Sequence, residues 1–302
     1  MGVGNYSESD IKNASRAFTG WTFDQPLSLY PYGHHEAVFK FASEDHDFED
    51  KEFLGQKGKF DGEDIIDIIV NQKATARFVS RHLYNFFVED EVQVPSWETV
   101  PPKDENAIRF LTQVFEESNG NMRFILKELF NSDFFKNSIG FSKVKSPTEL
   151  IVGVIRQTGE YSEPTHGIHQ FAVTTLNGSP YEGPMAIMGQ RLMNPPTVEG
   201  WHTGFEWIDS GTLSERIGFV EKQFSDPEKP GVADIIDRLG TLDDEPKLIV
   251  DRCLDVLGAI VVRDETYDSL IRYAENLKGI GDDAGVHHLV QMVTSTVDYQ
   301  FE

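Results

Sequence analysis

Cysteine is almost absent: Cys253 is the only one in 302 residues. No intrachain disulfide can form, and a four-cysteine zinc site is excluded. The lone thiol sits in the apolar run Cys253-Leu254-Asp255-Val256-Leu257 and reads as a buried helix residue. Basic charge is also scarce, with 27 Lys and Arg against 50 Asp and Glu and a formal net charge of -23. Nucleic-acid phosphates and anionic lipid need clustered basic charge, and no such cluster occurs, so neither is an expected partner. No apolar run approaches the length of a membrane span, and Met1 to Asp10 contain neither the basic nor the apolar region of an export signal. His-Glu-x-x-His, Gly-x-Ser-x-Gly and the phosphate-cradling glycine loop are missing as well, so no reaction can be read from a motif.

What the chain does have is 22 phenylalanines, and rings in that number need a core, a partner or a ligand to cover them. Helix signals recur along the whole length. Ser7 with Asp10 three positions later forms a capping-box pattern, followed by Ile11, Ala14 and Phe18 at helical spacing. Asp61 and Asp64 repeat the pattern ahead of an isoleucine-rich helix. Ile108, Leu111, Thr112 and Phe115 keep the i, i+3, i+4, i+7 rhythm, and Asn119-Gly120-Asn121 breaks that helix. Ser146, Pro147 and Glu149 occupy N-cap, N1 and N3 of another. Further helices are predicted at His166–Leu176, Glu182–Met193, Ser210–Gln223, Val232–Leu239, Pro246–Val256, Asp264–Asn276 and Asp282–Thr294. Two extended pieces, Ala37–Phe41 and Glu52–Leu54, are expected to pair around the acidic loop between them. The fold expected is mainly α, an irregular multi-helix orthogonal bundle with at most a short minor β-hairpin.

The densest polar stretch runs through His34-His35, Glu44-Asp45-His46-Asp47, Glu49-Asp50 and Asp61, Glu63 and Asp64. Imidazole and carboxylate together can hold a divalent metal, with His46 and Asp47 as the first ligands to consider, and carboxylates alone can hold calcium. A solvated loop plus acids favoured by a helix N-terminus explains the same residues without chemistry. His46 beside Asp47 is the histidine best placed for acid–base work. Lys73, Arg77, Arg81 and Asn85 recur every fourth residue on one helix face, where arginine forks serve either salt bridges or anionic ligands. Trp21, Trp201 and Trp207 lie beside turns, where such rings either floor a sugar cleft or close a core beneath loops.

Read together, Arg16-Ala-Phe-Thr-Gly-Trp21, His46-Asp47, Leu54-Gly55, Phe60-Asp-Gly-Glu-Asp-Ile-Ile66, Ala74-Thr-Ala-Arg-Phe78, Leu83–Phe87, Ser132-Asp133-Phe134-Phe135, Lys143-Val-Lys-Ser-Pro147 and Asn194-Pro-Pro-Thr-Val-Glu-Gly-Trp201 resemble the uncharacterised bacterial family called domain of unknown function 1800. The resemblance draws attention to Arg16, Trp21, His46, Asp47, Asp61, Glu63, Asp64, Arg77, Lys145, Asn194 and Trp201, without bringing an established catalytic residue. It implies a cell-envelope, periplasmic or extracellular setting. It also implies that residues 1–302 form the larger C-terminal part of one helical domain, with an N-terminal portion missing; the Pro- and Gly-rich stretch 194–204, read from the residues themselves, is where that domain could subdivide. Two functions follow as expectations. One is a binding or assembly protein with a protein or glycan partner; the other is a metal-assisted hydrolase built on His46 and nearby carboxylates.

Overall fold

Side-chain caps start several of the described helices, and those at Ser7, Asp61 and Ser146 fall where the sequence puts them. The computed structural model describes residues 1–2, 4–24, 37–138, 143–159, 182–198, 200–277 and 282–301. The segments holding His34-His35 and the predicted helix His166–Leu176 lie outside them. The described residues are mainly helical with two short hairpins, and they group into two compact units. The first comprises Met1–Phe87 and Val92–Phe135; the second comprises Val88–Glu91 and Lys136–Glu302. The Pro- and Gly-rich stretch 194–204 lies inside the second.

In the first unit, helix α1 (Glu8–Ala17) begins at a complete capping box between Ser7 and Asp10. Helix α2 (Gly62–Val70) begins at an equally complete one, with Asp61 accepting from the amides of Glu63 and Asp64 while Asp64 accepts from the amide of Asp61. Helices α3 (Lys73–Phe87), α4 (Glu105–Glu117), α5 (Met122–Asn131) and the one-turn α6 (Asp133–Lys136) follow. Asn119 and Gly120, both at positive φ, make the α4–α5 break that the sequence predicted. Ala17, Phe53, Ile65 and Ile68 form one small core, and Ile108, Leu111, Ile125 and Leu129 are buried on the facing sides of α4 and α5.

Two expectations are corrected here. Ile11, at the head of the predicted α1 stripe, remains 55% exposed, and burial falls on Ala17 instead. The extended pieces exist but do not pair with each other. β1 (Trp21–Asp24) pairs with β2 (Val38–Phe41), and β3 (Lys51–Phe53) pairs with β4 (Gln56–Gly58), both antiparallel. The second pairing closes locally because Leu54 and Gly55 both take positive φ, the two-residue turn whose twist suits a hairpin. That conformation is unfavourable for leucine. Asp10 offsets it by reaching from α1 to accept the Leu54 amide at 2.8 Å.

The second unit packs α7 (Pro147–Thr158), α8 (Glu182–Ile187), α9 (Ser210–Phe224), α10 (Pro230–Leu239), α11 (Pro246–Val256), α12 (Asp264–Leu277) and α13 (Asp282–Thr294). Their core runs through Leu150, Ile151, Val154, Val220, Phe224, Val232, Ile249, Val250, Cys253, Leu289 and Val290. Burial pushes the Cys253 thiol up to about 12, as the apolar run around it suggested. The predicted helix Glu182–Met193 ends early, at Ile187. Gly189 at φ +99° turns the chain out of the helix and sits against the buried Trp207 ring.

One contact in this unit leaves no room for a methyl group. A Cβ at Gly231, on the first turn of α10, would lie 2.0 Å from the Gln157 carbonyl oxygen at the end of α7. Alanine is the better helix former by about 1 kcal/mol, yet Gly231→Ala is expected to destabilise the protein by roughly 1–3 kcal/mol through overpacking. Urea unfolding would check this, and a gain in stability would show that the α7–α10 crossing is looser than described.

Candidate functional site

Strands β1 and β2 each alternate aromatic with polar residues over part of their length: Trp21-Thr22-Phe23 and Phe39-Lys40-Phe41. Successive side chains of a strand point to opposite faces, while directly opposed residues share one. Because Trp21 stands opposite Phe41 and Phe23 opposite Phe39, all four rings fall on the same face of the ribbon. Phe23 is 60% exposed and Phe39 62%. The inner end is anchored: Trp21 meets Phe18 edge-on at 5.0 Å and Phe39 at 5.3 Å. A Cβ at Gly62 would come within 2.5 Å of the Trp21 ring, so the first turn of α2 can seat there only as glycine. The row continues beyond the ribbon, with the His46 ring lying 5.3 Å from Phe41 and 4.6 Å from Phe48, itself 58% exposed.

His46 is placed by the turn after α1. Its Nδ1 lies 2.8 Å from the Thr19 carbonyl oxygen. A carbonyl can only accept, so Nδ1 carries the hydrogen, and in the neutral ring Nε2 is left as an acceptor. The Thr19 hydroxyl donates to the Arg16 carbonyl at 2.6 Å and accepts the Asp47 amide at 2.8 Å. Asp47 itself is gripped by Arg16, whose Nε and Nη2 reach its two carboxylate oxygens at 2.7 and 3.3 Å. One of those oxygens also accepts the Glu49 amide at 2.9 Å. The Arg16 bond and then the Glu49 amide hold the Asp47 carboxyl at about 2, below its ordinary 3.8. Beneath the loop, the buried Lys51 ammonium donates to the carbonyls of Asp47 and Glu49.

Asp61, Glu63 and Asp64 stand at the α2 N-terminus, with Asp61 and Asp64 engaged in the cap and all three exposed. No group of three or more His, Cys, Asp or Glu side chains with the arrangement of a metal site occurs among the described residues. Arg77 forms a two-pronged ion pair with Glu105 at 2.7 and 2.8 Å. Arg81 lies buried, donates to the carbonyls of Trp97 and Val100, and stacks 4.6 Å above the Trp97 ring. Both arginines border a cavity of about 170 Å³ with Phe78 and Trp97. In the second unit, Lys145 donates to the Tyr299 carbonyl at 2.8 Å and lies over that ring. Asn194 is in an exposed turn, and Trp201 is partly buried.

The arrangement therefore brings Arg16, Trp21, His46 and Asp47 into one neighbourhood. Thr19, Lys51, Phe23, Phe39, Phe41 and Phe48 complete it and were not singled out in the sequence. The aromatic alternation on either side of residues 25–36 was a readable signal for four of the rings. The roles of Thr19 and Lys51 had none, because both act through backbone groups that only the folded turn brings near.

The family described as "Protein of unknown function (DUF1800)" matches residues 1–301, and the match lends no support to a missing N-terminal portion. No curated protein and no solved structure matches the chain.

Because the Asp47 carboxyl is depressed in the folded state, the stability it contributes is present above its ordinary value of 3.8 and is lost as pH falls towards about 2. Arg16→Met should weaken the protein near neutral pH and make the decline across that window shallower than in the wild type. Urea midpoints followed through the window would show it; identical slopes would mean that the Arg16–Asp47 pair does not couple to folding.

Proposed function

The chain belongs to the DUF1800 family, and from that premise we propose that it is a binding or assembly protein of the bacterial cell envelope or extracellular space, contacting its partner through the aromatic face around His46. The observation that carries this reading is the open row of rings Phe23, Phe39, Phe41 and Phe48 with the His46 Nε2 acceptor among them. Exposed rings on one face offer an apolar contact that a lone surface phenylalanine does not. Glu44, Asp45, Glu49 and Asp50, all exposed, lie in the same loop and favour a partner rich in hydrogen-bond donors and free of anionic charge. A glycan, with apolar ring faces and hydroxyl donors, meets both demands; a neutral or basic protein segment meets them too. The envelope or extracellular setting rests on the family resemblance.

A second reading is a metal-assisted hydrolase using His46 and nearby carboxylates. What favours it is the orientation of the ring: Nδ1 bound to a backbone carbonyl is how proteins aim Nε2 at a metal or a proton. Asp47 is committed to Arg16, so in this reading the other groups would have to come from the exposed acids of the loop.

The double variant Phe23→Ser/Phe39→Ser separates the two readings. Neither ring contributes to the small core of its unit, so folding should be retained. Retention on bacterial sacculi or on membrane fractions should drop at least about tenfold, the loss of roughly 1.4 kcal/mol of contact. Unchanged retention would count against the aromatic face. Turnover that is abolished by His46→Gln, with no retention in any fraction, would favour the hydrolase.

A further inference from the structure

Far in sequence from the aromatic face, the second unit encloses a positive charge that no carboxylate contacts among the described residues. Arg216, on α9, has no exposed surface and is among the largest fully buried side chains. Two of its three nitrogens have partners: Nε donates to Gln300 Oε1 at 2.8 Å and Nη2 donates to the Lys145 carbonyl. Its Nη1 is buried without a hydrogen-bond partner among the described residues, and so is Nε2 of Gln300, the amide bonded to the same guanidinium. The bond geometry fixes the orientation of Gln300, since turning the amide over would set Nε2 against the Arg216 Nε–H, donor against donor.

Both unmet needs in this network are therefore for an acceptor, and the guanidinium adds a need for negative charge. Both partners that the Arg216 guanidinium does have are neutral oxygens. Glu149 acts on it only through space and is committed to the α7 capping box with Ser146. Desolvation lowers the Arg216 pKa to about 10, which leaves the group charged at neutral pH. A buried charge is tolerated when it is paired and hydrogen-bonded, and an isolated one is strongly disfavoured. A water molecule would supply the missing acceptor and leave the charge uncompensated, whereas an anion supplies both.

We propose that Arg216 Nη1 is the anchor of a buried site for a small monovalent anion of halide size, with the Gln300 amide as an adjoining donor. The proposal is independent of the aromatic face. Gln300 follows Tyr299 and precedes Phe301, whose backbone pairs with Val144, while Lys145 N–H donates to the Gln300 carbonyl at 2.9 Å. The anion would thus stabilise the closure of residues 298–301 against the start of α7, and its effect should be read as stability.

The test uses the full chain with chloride and bromide as probes. Melting temperature is followed as chloride replaces a bulky anion at constant ionic strength. A rise of roughly 3 °C or more is expected for a site that approaches saturation. Arg216→Met should abolish the chloride dependence, and a change that melts the protein outright would be replaced by Gln300→Glu, which places a carboxylate beside the guanidinium and should reduce the dependence. Crystals grown in bromide should show an anomalous peak within hydrogen-bonding distance of Nη1. A water alone at that position, a carboxylate of the chain filling it, or a melting temperature insensitive to chloride would each overturn the proposal.

Discussion

The grip of Arg16 on Asp47 is the constraint on which the candidate site rests. Arg16 belongs to a capped helix, so its guanidinium starts from a fixed base, and both forks of Asp47 are taken. Once Asp47 is held, its amide seats on the Thr19 hydroxyl, and the preceding ring has little choice but to meet the Thr19 carbonyl. His46 then arrives between Phe41 and Phe48 in one tautomer. A loop carrying this many acids would otherwise be expelled into water by its own repulsion. Here it is drawn inward by one arginine and one buried lysine placed below it, Lys51, which neutralises carbonyl dipoles.

Other polar residues of the first unit that stand out in the sequence are likewise bonded to neighbours in the fold. Asp10 satisfies Ser7 and, across the chain, the strained Leu54 turn. Asp61 and Asp64 close a capping box, and Arg77 pairs with Glu105. Each has a partner in the fold. The exposed groups around His46 are the rings Phe23, Phe39, Phe41 and Phe48 and the acids Glu44, Asp45, Glu49 and Asp50.

Local rules were legible in the sequence and long-range ones were not. Capping residues act within three or four positions, and the starts at Ser7, Asp61 and Ser146 appear where those residues predict them. Helix α11 has the predicted bounds, and α9 and α12 agree within a residue. Strand pairing depends on chain closure, so the segment 37–41 found Trp21–Asp24 in place of Glu52–Leu54. Arg216 shows the same limit more sharply. An arginine in an amphipathic helix reads as a surface residue, yet Arg216 is buried and bonded to Gln300, 84 positions away. Of the candidate site, the sequence pointed to His46, Asp47 and Trp21 by residue type and to Arg16 through the family resemblance. It withheld their mutual bonds, which form between residues about thirty positions apart.

The buried thiol has a practical side. Cys253 is the sole cysteine, lies in the core of the second unit with no exposed surface, and is held as a protonated thiol far above neutral pH. It is therefore silent towards alkylating reagents while that core stays closed, and a single cysteine introduced on the surface can carry a spectroscopic label without first removing the native one. When the core opens, the same side chain becomes the one thiol on the molecule within reach of such a reagent. The rate of its alkylation is then a clock for transient opening of the second unit, readable in a mixture and without purification of intermediates.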